Sequence, residues 1–391
     1  MKKYDFDELI ERRGTDSLKY GICDEIFGTS DLMPLWVADM DFKTPDFIVE
    51  AIEKRLKHPI LGYWNYWEGY HDSILWWMKT RHNWSVEKDW IIFSPGIVPA
   101  LGLCVMAYSE KGDDVLVQSP VYHPFYYAIE SQERNIVYNP LIEKEDRFEM
   151  DFEDLENKLK KGIKLMLLCN PHNPVGRCWE KDVLMKVAFL CKKYNCILVS
   201  DEIHADLTMP TFKHNPTHLC AETIEEKANI ITLMAPSKTF NMAGLATSEV
   251  IISDFELRKM FIHLTHNVLH MFNGNVLGAY ALEAAYSDKG AQWVDQLRDY
   301  IWDNVSSMNV FLKENYPKIK TYKHEATYLP WLDFSAYGYS HKDLMHKLAY
   351  DCKIGFNDGM IFGKEGKNKM RVNVALPKSE LMKALENLKH L

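Results

Sequence analysis

The chain carries seven short runs of mainly apolar residues, four to six residues each, between residues 90 and 253. Runs of this length that are rich in aliphatic and aromatic residues are typical of buried strands. Segments with helical spacing separate most of them, and strands that alternate with helices predict a mostly parallel sheet with helices on both faces. We therefore predict an α/β fold with a seven-stranded sheet, and its strands are 90–94, 114–118, 135–139, 164–169, 196–199, 230–234 and 249–253.

The regular alternation ends near residue 285. The later pattern consists of a long helix at 291–314, a strand-like 327–334, a helix at 341–350, a strand-like 370–375 and a closing helix. This irregular mixture predicts a separate, smaller α+β domain over 286–391. Residues 46–285 form the predicted large domain, and residues 1–45, mostly irregular, form a predicted arm that packs with the small domain.

Composition and charge exclude several classes of protein. Apolar residues make up 47% of the 391 residues, which is enough for a full core, and the net charge of −9 arises from both signs mixed along the chain. We predict no nucleic-acid partner because no basic stripe is present. We expect no membrane span and no secretion signal, because no apolar run approaches the roughly 18 residues that a span needs. The eight cysteines form no C-x-x-C pair, so we expect reduced thiols, no metal site and a cytoplasmic location.

Two predicted strands end in residues that carry chemistry. Asp201 follows the run 196–199, and Lys238 follows the run 230–234. Ligands of open α/β sheets bind at the carboxyl ends of the strands. We interpret the acid and the lysine as two contacts to one cofactor, pyridoxal phosphate.

Three other loops give weaker signals. The turn at Gly96 and Ile97 opens a predicted helix, and free N–H groups there favour an anion, although many helices start in this way. Tyr122 stands at a strand-to-helix junction, where its ring could cover a flat ligand or pack in the core. The loop N-P-H-N-P-V-G fixes the backbone around Asn173, whose amide could serve a ligand or an Asx turn.

Two segments that are rich in apolar and aromatic residues each allow two interpretations. Residues 35–42, L-W-V-A-D-M-D-F, either pack on the body as an arm or cross the mouth of the active site. Residues 62–67, G-Y-W-N-Y-W, either anchor an interface or form a satellite hydrophobic cluster.

Together these motifs resemble those of a known family. N-P-x-N-P-x-G, D-E-I-H after a strand and S-K-T-F-N-x-A-G-L are similar to motifs of pyridoxal-phosphate-dependent fold-type I enzymes, the aminotransferase class I and II superfamily. W-V-A-D-M-D-F, G-Y-W and R-V-N-V-A-L-P narrow the resemblance to the MalY/PatB branch of cystathionine β-lyase-like C–S lyases. The match keeps the motif order over nearly the whole chain, and it implies the fold-type I architecture of a large and a small domain.

The resemblance implies three catalytic residues. Lys238 would bind the cofactor covalently and later act as general base, since burial lowers a lysine pKa towards that task. Asp201 would pair with the pyridine nitrogen and keep it protonated, and Tyr122 would stack on the ring. The other implied cofactor contacts are Asn173 to the phenolic oxygen, and Gly96, Ile97 and Ser237 to the phosphate.

The resemblance also implies a substrate site. Arg371 would bind the α-carboxylate of the substrate, because its planar fork matches a carboxylate. Asn173 and the backbone of Ala38 would add contacts. An exposed salt bridge is the alternative role for Arg371.

Two positions depart from the pattern of many aminotransferases. Ala246 stands where an arginine commonly contacts the phosphate, and the resemblance implies that Tyr63 of a second subunit supplies this contact in a homodimer. His204 stands where many of these enzymes have a tyrosine bonded to the phenolic oxygen. We expect His204 either to orient the cofactor or to be a core histidine with satisfied hydrogen bonds.

The resemblance implies β-elimination on S-substituted L-cysteines such as cystathionine, with a thiol, pyruvate and ammonia as products. An aminotransferase would share almost the same cofactor site, and the sequence does not decide between the two reactions. A regulatory binding protein of the same fold is a third possibility, since some relatives in this branch also bind a transcription factor.

Overall fold

The computed structural model describes residues 2–391, so residue 1 of the predicted arm lies outside the described residues. The α-helices are α1 (Leu18–Gly21), α2 (Cys23–Phe27), α3 (Asp46–Leu56), α4 (Glu68–His82), α5 (Ile97–Tyr108), α6 (Pro124–Glu130), α7 (Phe152–Leu159), α8 (Lys181–Lys193), α9 (Thr217–Cys220), α10 (Ile224–Ala228), α11 (Phe255–Ile262), α12 (Val276–Ala285), α13 (Asp288–Asn315), α14 (His341–His346) and α15 (Lys378–Glu386). The strands are β1 (Met33–Leu35), β2 (Ile91–Ser94), β3 (Asp114–Val117), β4 (Asn135–Tyr138), β5 (Ile142–Glu143), β6 (Phe148–Glu149), β7 (Leu165–Cys169), β8 (Ile197–Asp201), β9 (Ile230–Met234), β10 (Ser248–Ile252), β11 (Lys320–Thr321), β12 (Trp331–Asp333), β13 (Ile354–Asp358) and β14 (Lys369–Arg371).

All seven strands predicted between residues 90 and 253 are present in one sheet. Their order is β2-β10-β9-β8-β7-β3-β4, and β10 runs antiparallel to both of its neighbours. Successive residues of β7 point to opposite faces: Leu167 packs in the core that contains α5, and Leu168 packs in the core that contains α8. Burial on both faces explains the nearly continuous apolar runs, and the predicted α/β fold is confirmed.

Strand direction brings the important loops to one edge of this sheet. The strands β3, β7, β8 and β9 are parallel, so Cys169, Asp201 and Met234 lie at the same edge. Because β10 is antiparallel, it begins there with Ser248, which pairs with Ser94 at the end of β2. Residues from six separate segments can therefore meet around one ligand.

A second sheet of five strands, in the order β1-β13-β14-β12-β11, joins the beginning and the end of the chain. Its strand β1 pairs in parallel with β13. The prediction that residues 1–45 are mostly irregular was wrong for α1, α2 and β1, and β13 was missed. The strand β1 has three residues including Pro34, and Gly355 interrupts β13, so neither carries a recognisable strand pattern.

Predicted elements near the end of the chain are longer than the observed ones. The strand-like 327–334 contains β12, and 370–375 contains only the end of β14. The helix predicted at 341–350 is α14 followed by a π-helical segment, Lys347–Asp351. The residues after β14 no longer form a regular strand, but their backbone is still hydrogen-bonded to a neighbouring segment. The N–H of Val374, for example, donates to the carbonyl of Tyr328 at 3.0 Å. The long helix predicted at 291–314 is confirmed as α13.

No helix within residues 2–391 combines the length and the apolar character needed to cross a membrane. All eight cysteines are buried and free. In this described part of the chain, no three His, Cys, Asp or Glu side chains are grouped in a way that could hold a metal ion.

Candidate active site

A cavity opens at the carboxyl edge of the seven-stranded sheet. Its volume of about 190 Å³ is well over ten times the roughly 10–15 Å³ that one water molecule needs, so it has room for a small ligand. Nine predicted site residues line it: Ala38, Gly96, Ile97, Tyr122, Asn173, Asp201, His204, Ser237 and Lys238. The other two, Arg371 and Tyr63, lie outside the lining.

Lys238 lies in the cavity wall, just beyond β9. Its Nζ donates a hydrogen bond to the carbonyl of Ala38 at 2.7 Å. Burial, followed by the charge of Arg371, lowers the pKa of Lys238 to about 8. At neutral pH this lysine therefore has a larger neutral fraction than an exposed one, as a nucleophile or general base requires.

Asp201 is the last residue of β8 and is only 4% exposed. Its Oδ1 accepts the backbone N–H of Ile203 at 3.1 Å, and no other donor to the carboxylate is present among residues 2–391. Burial is the main cause that raises the pKa of Asp201 to about 7. A protonated ring nitrogen in the cavity would pair with the free oxygen and favour the ionised form.

The start of α5 forms one end of the cavity. Gly96 has φ of 155°, a conformation that residues with a side chain rarely adopt. The N–H groups of Ile97 and Val98 open this 12-residue helix and meet no acceptor in the described part of the chain. Free N–H groups at a helix start, together with Ser237 in the same wall, suit a phosphate.

Asn173 and Arg371 form the adjoining side of the site. Nη1 of Arg371 donates to Oδ1 of Asn173 at 3.2 Å, and Nη2 donates to the carbonyl of Trp36 at 2.8 Å. The guanidinium lies 4.9 Å from the ring centre of Phe362, and burial lowers the pKa of Arg371 to about 10. The alternative of an exposed salt bridge for Arg371 is wrong, because the residue is 2% exposed and bonds neutral oxygens.

The segment 35–42 crosses the site, and several residues that sequence reasoning missed hold it there. The hydroxyl of Tyr328 donates to the carbonyl of Ala38 at 2.9 Å. The amide of Asn241 accepts from the N–H of Met40 and donates to its carbonyl, at 3.0 and 2.9 Å. Asn373 donates to the carbonyl of Val37 at 2.6 Å. Asn241 stands in the motif S-K-T-F-N and Asn373 in the motif R-V-N-V. These two motifs are the sequence signal from which a role for both asparagines could have been predicted.

His204 and Tyr122 complete the wall. Neither ring nitrogen of His204 has a hydrogen-bond partner among residues 2–391. Burial, with the charges of Lys238 and Arg371, lowers the pKa of His204 to about 3, so the ring is neutral. His204 is therefore not a core histidine with satisfied hydrogen bonds. The backbone N–H of Tyr122 donates to the carbonyl of Asn173 at 3.1 Å, which ties two loops of the site together.

The two departures from the aminotransferase pattern are visible in the structure. Ala246 lies in the cavity wall and brings no charge to it. Tyr63 is fully exposed in a loop outside the cavity, and this loop is fixed by Trp64, whose Nε1 donates to the carbonyl of Gly274 at 3.1 Å. A single chain thus does not bring Tyr63 together with the other predicted residues.

The cavity fits pyridoxal phosphate at three separate points. The amine of Lys238 can bind an aldehyde carbon, the free oxygen of Asp201 can accept from a protonated pyridine nitrogen, and the start of α5 can bind a phosphate. Each point offers the group that a different part of this cofactor needs. A larger set of neighbours, not singled out from the sequence, also lines the wall: Pro95, Val98, Pro99, Cys169, Ile203, Ala243 and Thr247.

Comparison with known proteins agrees with this geometry. The profile of the family "Aminotransferase class I and II" matches residues 30–388. The chain is 43% identical to cystathionine β-lyase PatB of Bacillus subtilis and 30% identical to protein MalY of Escherichia coli, with 98% of both chains covered in each case. The crystal structure of cystalysin from Treponema denticola, which contains a pyridoxal 5'-phosphate cofactor, superposes with a TM-score of 0.95 at 37% identity and covers 99% of this chain and 98% of its own. The chain therefore belongs to the aminotransferase class I and II family, and within it to the branch that contains PatB and MalY.

Proposed function

We propose that this chain is a pyridoxal-phosphate-dependent C–S β-lyase. It cleaves the Cβ–S bond of an S-substituted L-cysteine such as cystathionine, consumes one water molecule and gives a thiol, pyruvate and ammonia. The observation that carries the proposal is the convergence of Lys238, the half-paired carboxylate of Asp201 and the free start of α5 on one cavity. Full-length similarity to a cystathionine β-lyase and to a structure with bound pyridoxal phosphate supports the reaction and the cofactor.

Residues from five segments would hold the cofactor. Lys238 would bind it covalently, Asp201 would face the ring nitrogen, and Ile97 and Ser237 would contact the phosphate. The ring of Tyr122 would cover one face. The amide nitrogen of Asn173 and the neutral ring of His204 have no acceptor within residues 2–391, and both would serve the phenolic oxygen. When bound, pyridoxal phosphate supplies an electron sink that stabilises the carbanion left after loss of the substrate α-proton.

Arg371 would bind the α-carboxylate of the substrate. Its fork now contacts the neutral oxygens of Asn173 and Trp36, and a carboxylate is a stronger acceptor for a guanidinium than either. The ring of Phe362 stacks against the guanidinium and keeps its plane fixed. The carbonyl of Ala38 lies next to Lys238 in the wall of the site.

Lys238 would move the proton that starts the reaction. Its pKa of about 8 leaves a useful neutral fraction at neutral pH, and its amine then takes the proton from Cα of the substrate. The Cβ–S bond breaks next, and sulfur leaves with the bonding electron pair and takes up a proton to become the thiol. The segment around Ala38 covers the site and limits the access of water to these steps.

The active unit would be a homodimer in the cytoplasm. Tyr63 stands in an exposed apolar surface with Ile60, Leu61 and Phe272, which are 66%, 59% and 52% exposed. Contiguous apolar surface of this kind favours burial against another chain. A second copy would cover this surface and bring its Tyr63 to the phosphate of the cofactor. This contact would replace the one that an arginine commonly makes at the position of Ala246. We assign residues 1–45 to the arm, 46–285 to the large domain and 286–391 to the small domain.

The test is to incubate the purified protein, loaded with pyridoxal phosphate, with L-cystathionine and no keto acid. Pyruvate and a free thiol should appear in equal amounts, and Lys238→Ala should abolish both products. Pyruvate formation that survives in Lys238→Ala would overturn the proposed role of Lys238. A strict requirement for an added keto acid would favour the aminotransferase, which the family membership keeps as the second candidate.

A further inference from the structure

Four charged residues near the beginning of the chain form a cluster beside the candidate active site. Arg12 and Lys19 supply the cations, and Asp39 and Asp41 supply the carboxylates; we call this group the arm clamp. Lys19 is fully buried, and Asp41 is only 7% exposed. None of the four side chains lines the cavity or has a part in the proposed reaction.

Arg12 bonds three successive residues of the segment that crosses the site. Its Nη1 donates to Oδ1 of Asp41 at 2.5 Å and to the carbonyl of Met40 at 3.1 Å. Its Nη1 and Nη2 also donate to the two oxygens of Asp39, at 3.3 and 2.7 Å. Burial opposes the charge of Arg12, but the two carboxylates outweigh it, so the pKa of Arg12 lies above its ordinary value. Arg12 is therefore a permanent cation whose planar fork is fixed on residues 39–41.

Lys19 holds the same segment from a second position. Its Nζ donates to Oδ2 of Asp41 at 2.7 Å. Its backbone carbonyl accepts from Nε1 of Trp36 at 3.0 Å. The two cations thus share Asp41, while Arg12 alone makes short contacts to Asp39.

The arm clamp acts on the carbonyl that meets Lys238. The carbonyl of Ala38 and the N–H of Asp39 belong to one planar peptide group, so a contact that fixes Asp39 also fixes the direction of this carbonyl. Nζ of Lys238 donates to it at 2.7 Å. The charge of Asp39 also acts on the lysine: burial and the charge of Arg371 lower the pKa of Lys238, whereas Asp39 raises it.

We propose that Arg12 is a positioning residue for the candidate active site: its fork holds residues 39–41 and thereby keeps the carbonyl of Ala38 beside Lys238. The inference rests on the proposed function, because it gives Arg12 a task in the same site. Without this fork, Asp39 loses its charged donor, and the segment keeps Lys19 and its neutral hydrogen bonds. The carbonyl of Ala38 is then held less firmly in the wall where the substrate would bind.

Hydrogen exchange of the apoprotein tests the positional claim without cofactor or turnover. The N–H groups of Met40 and Asp41 both donate within the protein, at 3.0 and 2.9 Å, so both report on the segment. Arg12→Met should speed their exchange by about tenfold, an effect that the loss of one charged hydrogen bond supports. Mass spectrometry of peptides that cover residues 36–42 measures this rate, and an unchanged rate would overturn the proposal.

Binding of L-norleucine to the holoenzyme, followed by cofactor absorbance, tests the effect on the site. Norleucine has no leaving group on Cβ, so the measurement does not require C–S cleavage. Arg12→Met should raise the dissociation constant about tenfold and leave the amount of bound cofactor unchanged. Arg12→Lys keeps the charge but not the fork, so its dissociation constant should lie between those of Arg12→Met and the wild type. A loss of stability with unchanged norleucine binding would indicate a merely structural role and overturn the proposal.

Arg13→Met is the matched control. Arg13 is the next residue of the chain, but its fork donates to the carbonyls of Ser30 and Leu32, at 3.2 and 2.7 Å, and not to the arm clamp. This variant should lower stability without changing hydrogen exchange in residues 36–42 or the binding of norleucine. Equal effects of Arg13→Met and Arg12→Met would overturn the proposal.

Asp39→Asn gives a second test that does not depend on the folding of Arg12→Met. The amide keeps the shape of the side chain but loses the charge that Arg12 bonds and that raises the pKa of Lys238. Exchange in residues 36–42 should become faster, and the pH titration of cofactor absorbance should shift to lower pH; the absence of either change would overturn the proposal. Failure to release pyruvate from cystathionine would instead contradict the proposed function, whereas unchanged exchange contradicts only the role of Arg12.

Discussion

Lys238 Nζ donates a 2.7 Å hydrogen bond to the backbone carbonyl of Ala38, 200 residues earlier in the chain. The hydroxyl of Tyr328 donates to the same carbonyl at 2.9 Å. If Lys238 binds the cofactor as proposed, Tyr328 still donates to this carbonyl, and Asn241 and Asn373 hold the same segment at Met40 and Val37. Lys238, Tyr328 and the segment around Ala38 thus meet at a single oxygen atom.

Tyr328→Phe should loosen the segment around Ala38 without emptying the site. We expect KM for cystathionine to rise several-fold, the bound cofactor to remain, and stability to fall by about 1 kcal/mol for the lost hydrogen bond. Steady-state kinetics and thermal unfolding would measure these effects. Tyr322→Phe is the matched control, since its hydroxyl bonds Glu143 at 2.6 Å away from the cavity; a similar rise in KM there would contradict the role of Tyr328.

Gly96→Ala should weaken cofactor binding. The φ of 155° at Gly96 is unfavourable for any side chain, and the change should cost roughly 1–3 kcal/mol of local strain where the phosphate would sit. We expect the dissociation constant of pyridoxal phosphate, measured by fluorescence titration, to rise at least about tenfold. Gly102→Ala in the same helix is the control: its nearest neighbour would be Gln132 at 3.6 Å, so it should stabilise the helix by up to about 1 kcal/mol and leave binding unchanged.

Lys238→Met should stabilise the apoprotein at neutral pH. The pKa of Lys238 falls from 10.5 to about 8 on folding, so below pH 8 the folded state carries a charge in an unfavourable place. Between pH 8 and 10.5 the unfolded state binds more protons, and wild-type stability therefore rises with pH in that window. The gain from the substitution, about 1–3 kcal/mol at pH 7, should shrink from pH 8 to 10.5 in denaturant unfolding. A gain that does not depend on pH would contradict the assigned pKa.

Glu249→Gln should also stabilise the protein. Its gain should grow as pH rises, whereas the gain from Lys238→Met shrinks. Glu249 is fully buried on β10, neither of its oxygens has a hydrogen bond among residues 2–391, and burial raises its pKa well above 4.5. Above pH 4.5 the unfolded state loses this proton before the folded state does, so wild-type stability falls as pH rises. The substitution should raise the free energy of unfolding by about 1 kcal/mol at pH 7 and change little at pH 4. Equal effects at both pH values would count against a protonated Glu249.

The sequence predicted the parts of the site that local patterns encode. Asp201 and Lys238 were found because each follows a buried apolar run, and Asn173 because prolines mark its loop. Tyr328 was missed because its partner is a backbone carbonyl in a distant segment, which leaves no pattern around either residue. The strand β13 was missed because its pairing with β1 is also distant and its own pattern is broken by a glycine.

The buried contact between His82 and Asp206 shows the same limit. His82 and Asp206 lie on separate segments, and only the packing of α4 against the segment after β8 brings them within 3.1 Å. Their spacing in the chain carries no ligand or capping signal. Asp201 and Lys238 could be predicted because each follows a strand of one sheet, whereas the contact between His82 and Asp206 depends on how separate elements pack.

The pairing of β1 with β13 also fixes the order in which parts of the protein can fold during synthesis. The segment that carries Ala38 leaves the ribosome early, but its strand partner, Ile354–Asp358, lies close to the end of the 391 residues. The large sheet, complete by Ile252, can form while synthesis continues. The side of the cavity formed by the segment around Ala38 cannot close until almost the entire chain is available, so a chain truncated before β13 would keep the seven-stranded sheet but lack a closed cavity.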